Sequence, residues 1–168
     1  MTEMVSAPDS PAAITTTSVV ALFASDHVAL APDGKMYVNG GFIGLLRFAA
    51  FPAILPTLGI AAVLEVPFQD TMQDHTIRIG LRDSEGQQLK VGVEARFRNA
   101  LSPEAQFGDP SIVPFGVTVT NVEFPAPGAY QLVLWFDGVE KKVYRMRAIQ
   151  TPMALPIGTG STPADPAG

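Results

Sequence analysis

The sequence predicts an all-β fold, an antiparallel two-sheet β-sandwich of about eight strands. Three observations carry that expectation. Apolar and polar residues alternate with a period of two over several runs. Turn residues punctuate those runs, with 15 Gly and 15 Pro among 168 residues. No stretch keeps a helical period for more than a turn or two.

The elements follow in order. Residues 18–25 (SVVALFAS) form an apolar run ended by Asp26-His27 and read as a buried strand. Pro32-Asp33-Gly34 is a turn, because proline presets one backbone angle and glycine accepts the positive one. Residues 35–39 (KMYVN) then return as a strand that stops at Gly40-Gly41, so the first unit reads as a hairpin. Residues 58–67 (LGIAAVLEVP) are apolar almost throughout, as suits a strand covered on both faces. The clearest signal comes next. Ile77, Ile79 and Leu81 alternate with Arg78, Gly80 and Arg82, and Asp83 to Gly86 turns the chain. Leu89, Val91, Val93, Ala95 and Phe97 then alternate with Lys90, Gly92, Glu94 and Arg96. This is a hairpin with one buried and one solvated face.

Residues 98–111 are polar, and Ser102-Pro103-Glu104 within them can cap and start one helical turn. Residues 113–122 read as a strand, where Pro114 calls for an edge position or a bulge. The rigid corner around Pro125, Pro127 and Gly128 feeds Tyr130 to Phe136. Asp137-Gly138 is the strongest short hairpin signal, and the return strand covers 139–149. On this basis residues 1–17 form an N-terminal tail or arm, 18–150 the β-sandwich domain and 151–168 a Pro/Gly-rich tail.

Composition excludes several classes of function. Eleven Lys+Arg against 16 Asp+Glu give a net charge of −5, and 47% of the residues are hydrophobic. That balance argues against a disordered chain and against a nucleic-acid binder. With 0 Cys there is no disulfide framework, thiolate nucleophile or cysteine-ligated zinc. Residues 48–64 carry no charge, but they are short for a membrane span and hold Pro52, Pro56 and Gly59. They read instead as a proline-rich loop leading into a buried strand.

Several stretches resemble a known family: DHVAL at 26–30, DGKMYVNGGF at 33–42, IAAVLEVPFQDTMQDHTIRIGLRDSEGQ at 60–87 and PAPGAYQLVLWFDG at 125–138. Together they are similar to small, mostly actinobacterial proteins catalogued as a domain of unknown function, with relatives expected in phage genomes. The similarity spans 18–149. It implies a β-sandwich and no assigned activity, so it supplies no site.

Chemistry is sparse. Asp26-His27 and Asp74-His75 invite a metal reading, since imidazole and carboxylate can share a divalent ion. Both pairs lie at strand ends, however, where Asp serves turns and His caps backbone groups. No metal site, cofactor or catalytic residue is therefore expected, and the chain reads as a non-enzyme. No glycine-flanked serine elbow and no phosphate loop are present. Glu65 interrupts an apolar strand, and it reads as a strand-end group that reaches solvent or pairs with Arg47.

Apolar residues without an obvious place are the better clue. Phe42, Ile43, Leu45, Leu46, Phe48 and Phe51 crowd a segment broken by prolines. Either this segment folds over one open end of the sandwich, or it is a docking surface for another chain. Trp135 has the same two readings. The expected function is a structural or interaction protein without catalysis, a subunit of a symmetric assembly such as a phage virion, with decoration or accessory duty. Its partners would be capsid or tail proteins or copies of itself, without nucleic acid or a membrane span. The alternative is a soluble bacterial cytoplasmic module that binds a small ligand or a partner protein.

Overall fold

The computed structural model describes residues 16–100 and 106–152. Among them the chain is all-β, with ten strands and a single 3-10 turn at Phe68–Asp70. Strands β1 (Ser18–Ser25), β5 (Ala53–Val66) and β8 (Ser111–Phe124) form one sheet in the order β1-β5-β8. A second sheet contains β4 (Leu45–Phe48), β6 (Asp74–Asp83), β7 (Gln88–Arg98), β9 (Gly128–Phe136) and β10 (Val139–Gln150). Its order is β4-β10-β9-β6-β7, and it curls into a half-barrel. Strands β2 (His27–Leu30) and β3 (Met36–Asn39) pair only with each other. All pairs are antiparallel except β4 with β10.

One core lies between the two larger sheets. The alternation seen in the sequence sends Leu58, Ile60, Ala62 and Leu64 inward from β5, to meet Ile77, Ile79 and Leu81 from β6 and Leu132 and Leu134 from β9. Each fully buried leucine or isoleucine there stabilises the fold by about 1.5–3 kcal/mol relative to exposure. Tyr130 holds the corner before β9, its hydroxyl donating 2.6 Å to the carbonyl of Ala126.

Strand β5 is apolar on both faces because it is covered twice. Its outer residue Ala61 packs with Phe23 and Val28 in a second, smaller cluster. The β2–β3 hairpin lies across this outer face, where Gly59 and Gly116 leave room for it. A Cβ on Gly116 would overlap a methyl of Val28, and one on Gly59 would overlap the hydroxyl of Ser25. Thr118 clips the hairpin down: its Oγ1 accepts from Val28 N and donates to Val28 O, both at 2.9 Å.

The structure corrects the expected elements in four places. The first hairpin is β2–β3, while β1 pairs with β5 instead of the 35–39 strand. The strand expected at 58–67 begins at Ala53 and runs through Pro56. The one expected at 113–122 likewise extends to Ser111–Phe124. The 48–64 stretch holds the last residue of β4 and most of β5, and no helix of the described residues is long and apolar enough to cross a membrane. Glu65, expected to reach solvent or to pair with Arg47, accepts a hydrogen bond from Ser18 Oγ at 3.4 Å. Pro114 does lie on an edge strand. The helical turn expected at 102–104, most of the 1–17 arm and most of the 151–168 tail lie outside the described residues.

Strands β5 and β8 also change face together. Their register is unbroken from Ala53↔Phe124 to Val66↔Ser111, so Pro56 falls opposite Asn121. Asn121 has φ 55°. On one side of this point Leu55 and Val122 face the core, and on the other Leu58 and Val119 do. A proline without a donor is thus met by a partner residue that leaves the ladder at the same step.

Candidate functional site

The Asp74-His75 pair does not act as a pair. Asp74 turns outward and takes Arg98 in a two-pronged contact, Nε to Oδ1 and Nη2 to Oδ2, each 2.8 Å. That guanidinium holds the Asp74 carboxyl below the usual carboxylate range. His75 turns inward and is 6% exposed, with its ring against Phe136 and Phe97 at centroid distances of 4.9 and 5.9 Å. Its Nδ1 stands 2.8 Å from Asp137 Oδ2, and its Nε2 stands 2.8 Å from the carbonyl oxygen of Asp70. Both ring nitrogens therefore face acceptors, and the ring that satisfies both is the doubly protonated imidazolium. Burial by itself pushes the His75 pKa down, but the Asp70 carbonyl and the Asp137 carboxylate outweigh it and the value is raised.

Asp137 reaches this position through its turn. It adopts φ 49° and Gly138 φ 80°, the pair of left-handed residues that an Asp-Gly hairpin supplies. Its Oδ1 accepts from Thr76 N and its own N–H donates to Thr76 O, both at 2.8 Å. The group ties together the 3-10 turn, the start of β6 and the β9–β10 turn. While the ring is protonated, with both nitrogens donating, it offers no lone pair to a metal or a substrate proton. His27, in the other Asp-His pair, is exposed, with Nδ1 3.5 Å from Thr118 Oγ1. Among the described residues, no three His, Cys, Asp or Glu groups are placed to share an ion.

The apolar segment divides in two. Leu46 belongs to the main core, and Ile43, Phe48 and Phe51 pack against it. Phe48 meets Phe51 edge-on at 5.4 Å and Phe124 at 5.5 Å. Leu46 thus closes an end of the protein's own core through β4, which lies parallel to β10. Phe42 and Leu45 face solvent, 73% and 38% exposed. Phe42 has φ 63° and its ring stacks on Phe23 at 4.4 Å. A bulky residue in this left-handed region is uncommon and costs about 1–3 kcal/mol. Trp135 stands elsewhere, half-buried on the outer side of β9, with the Arg78 guanidinium 4.3 Å above its ring. That places it outward, covered by a neighbour's charge.

A cleft of about 420 Å³ opens where the β6–β7 turn meets the kinked end of β8, with Asp83, Gln87, Lys90, Asn121 and Glu123 in its lining. The Asp83 carboxylate already accepts from the N–H groups of Glu85 and Gln87, both at 2.9 Å. Sequence reasoning does not find this cleft, because its lining is brought together from the β6–β7 turn and the far end of β8, which no local pattern connects.

The geometry so far defines an all-β protein in which a buried histidine links the 3-10 turn to the β9–β10 turn. The chain belongs to DUF6941, a family of unknown function, whose model matches residues 5–149. That match begins before the strands and so includes residues ahead of Ser18. No curated protein matches the chain.

Among solved structures the chain is similar to the Pseudomonas fluorescens alkylpurine DNA glycosylase AlkC bound to DNA containing an abasic site analog. Identity there is 12%, the TM-score is 0.36, and the match covers 76% of this chain and 30% of that one. It is also similar to a β-glucosidase from Listeria innocua in complex with isofagomine, at 12% identity and TM-score 0.39, covering 82% of this chain and 17% of that one. The chain thus spans under a third of either protein. At these TM-scores neither fold nor activity passes from them to this chain.

Proposed function

We propose that this chain is a structural or interaction protein that works by contact rather than catalysis, using a two-sheet β-sandwich as a rigid support. It serves as a subunit of a larger symmetric protein assembly, for which the virion of a phage, with this chain as a decoration or accessory subunit, is the model. The observation that carries the reading is Phe42. A large aromatic ring is held out to solvent in a left-handed conformation, seated on Phe23. The fold gains little from such a residue, whereas a partner surface gains a rigid anchor. Leu45 extends the same outward side of the segment.

Sedimentation of extracts from the organism that makes the chain tests this. The wild-type chain is expected to run within a complex much larger than itself, and the F42S/L45S variant to run free with an unchanged melting curve. A wild-type chain that sediments free would overturn the reading.

A second reading rests on the cleft beside Asn121. There the chain is a bacterial cytoplasmic module that takes a small polar ligand between Lys90 and Glu123. Ligand-induced shifts confined to cleft residues, with Phe42 untouched, would favour it over the assembly.

A further inference from the structure

One end of the molecule brings exposed aromatic surface and unpaired polar groups together. Ser18 lies opposite Glu65, so Thr17 comes level with Val66, and Val66 lies opposite Ser111 on its other side. Just past Val66 stands Phe68, and just before Ser111 stands Phe107. Their rings meet at 4.7 Å, with Phe107 92% exposed. Met72, just after the 3-10 turn, is exposed as well, and its N–H donates to Asn99 O at 3.0 Å. Rings left this open add little to the core of their own fold.

The polar groups belong to the same end. Among the described residues, Thr17 Oγ1 and Asn99 Nδ2 are buried without a hydrogen-bond partner. Thr17 is only 5% exposed. Asn99 is tied through Met72 to the turn that carries Phe68. Buried polar atoms are almost always paired in native proteins, so two orphans at one end point to a partner that covers it. A hydroxyl and a carboxamide nitrogen both donate. The surface therefore calls for an apolar occupant that carries acceptor oxygens.

We propose that residues 5–15 of this same chain seat on this end, against Phe68 and Phe107, and supply those acceptors. Three observations select this occupant. The segment joins the described residues at Thr16, next to the orphaned Thr17 and level with the strand that leads into Phe68. The family match runs from residue 5, so it takes in this segment together with the strands. Its chemistry also fits. Pro8-Asp9-Ser10-Pro11 has the proline spacing of segments that dock in aromatic-lined grooves, and such segments keep their carbonyls free to accept. Val5 and Ile14 are apolar, and Asp9 is the single charge between residues 5 and 15.

This seat uses none of the residues of the Phe42 surface and stands apart from that reading. NMR relaxation of the full chain tests it. In the wild type, heteronuclear NOE values over residues 5–15 are expected at the level of the strands. F107S and P8S/P11S are each expected to lower them to the level of a free chain, and P8S/P11S also to shift the Met72 methyl signal. Melting curves accompany both variants, and P8S/P11S carries the test if F107S does not fold. Free-chain values in the wild type, or strand-like values kept by either folded variant, overturn the proposal. Order that vanishes on dilution would give the seat to the segment of a second copy and overturn it too.

Discussion

His75 Nδ1 lies 2.8 Å from Asp137 Oδ2, a contact that joins residues 62 positions apart and closes one end of the molecule. Because Nε2 also faces the Asp70 carbonyl, both ring nitrogens meet acceptors, an arrangement that favours the protonated ring. The His75 pKa is raised above the unfolded value of about 6.5. The sign of the pH dependence follows. The stabilisation is fully present below the unfolded pKa and is lost as pH rises through the folded one. Thermal melts from pH 5 to 9 (on the order of two units either side of neutrality) are expected to show a stability decline on the alkaline side. H75Q is expected to remove that decline.

Asp137 is the other half of the contact. D137N keeps an amide oxygen for Thr76 N and tolerates φ 49°, but it removes the charge beside the imidazolium. A charge-assisted hydrogen bond contributes about 1.5–3 kcal/mol, so a loss of that order near pH 6 is expected in urea denaturation. The NMR titration of the His75 ring is expected to move to lower pH in the variant. An unmoved titration would mean that Asp137 does not hold the proton.

Gly116 lies under the β2–β3 hairpin, where a Cβ would overlap Val28. G116V is expected to lift the hairpin and destabilise the chain by about 1–3 kcal/mol, the usual range for overpacking. Faster hydrogen exchange at Val28 would accompany it, since that N–H is held by Thr118. Protection that stays at the wild-type level would show that the hairpin is not seated there.

Lys142 crosses from β10 to the bulge in β1, donating to Val19 O and Val20 O. K142M keeps the stem and removes both bonds, with an expected cost of about 1.5–3 kcal/mol. Exchange is expected to rise around Val20 and to stay slow in β5.

Much of the fold was legible in the sequence because period-two alternation reports directly on which face is buried. Ile77 to Leu81 and Leu89 to Phe97 give the β6–β7 hairpin, and Asp137-Gly138 gives the β9–β10 turn. Two strands were missed. Each of β2 and β4 has only 4 residues, and neither is bracketed on both sides by turn residues as the equally short β3 is by Pro32-Asp33-Gly34 and Gly40-Gly41; β4 also owes its existence to a parallel partner far along the chain. Leu46 was legible as apolar, with core and docking surface both left open, since composition does not say which side of a loop a sheet will cover. The role of His75 was half-legible: its place at a strand end suggested backbone capping, which the Asp70 contact supplies. Its carboxylate partner was not, because adjacency in sequence favoured Asp74 and the register of three elements decided for Asp137.

Phe42 offers a direct separation of stability from contact. F42G relieves the left-handed strain while losing the stack on Phe23. These effects are of similar size, about 1 kcal/mol each. The melting temperature of F42G is expected to stay near that of the wild type. A large drop would show that Phe42 serves the fold.

Hydrogen exchange, compared between the isolated chain and the same chain in its native complex, tests the central claim most directly. Slowed exchange over residues 40–46 on entering the complex, with the His75 region unchanged, is the expected result. Unchanged exchange there, with new protection confined to the cleft at 87–91 and 121–125, would contradict it.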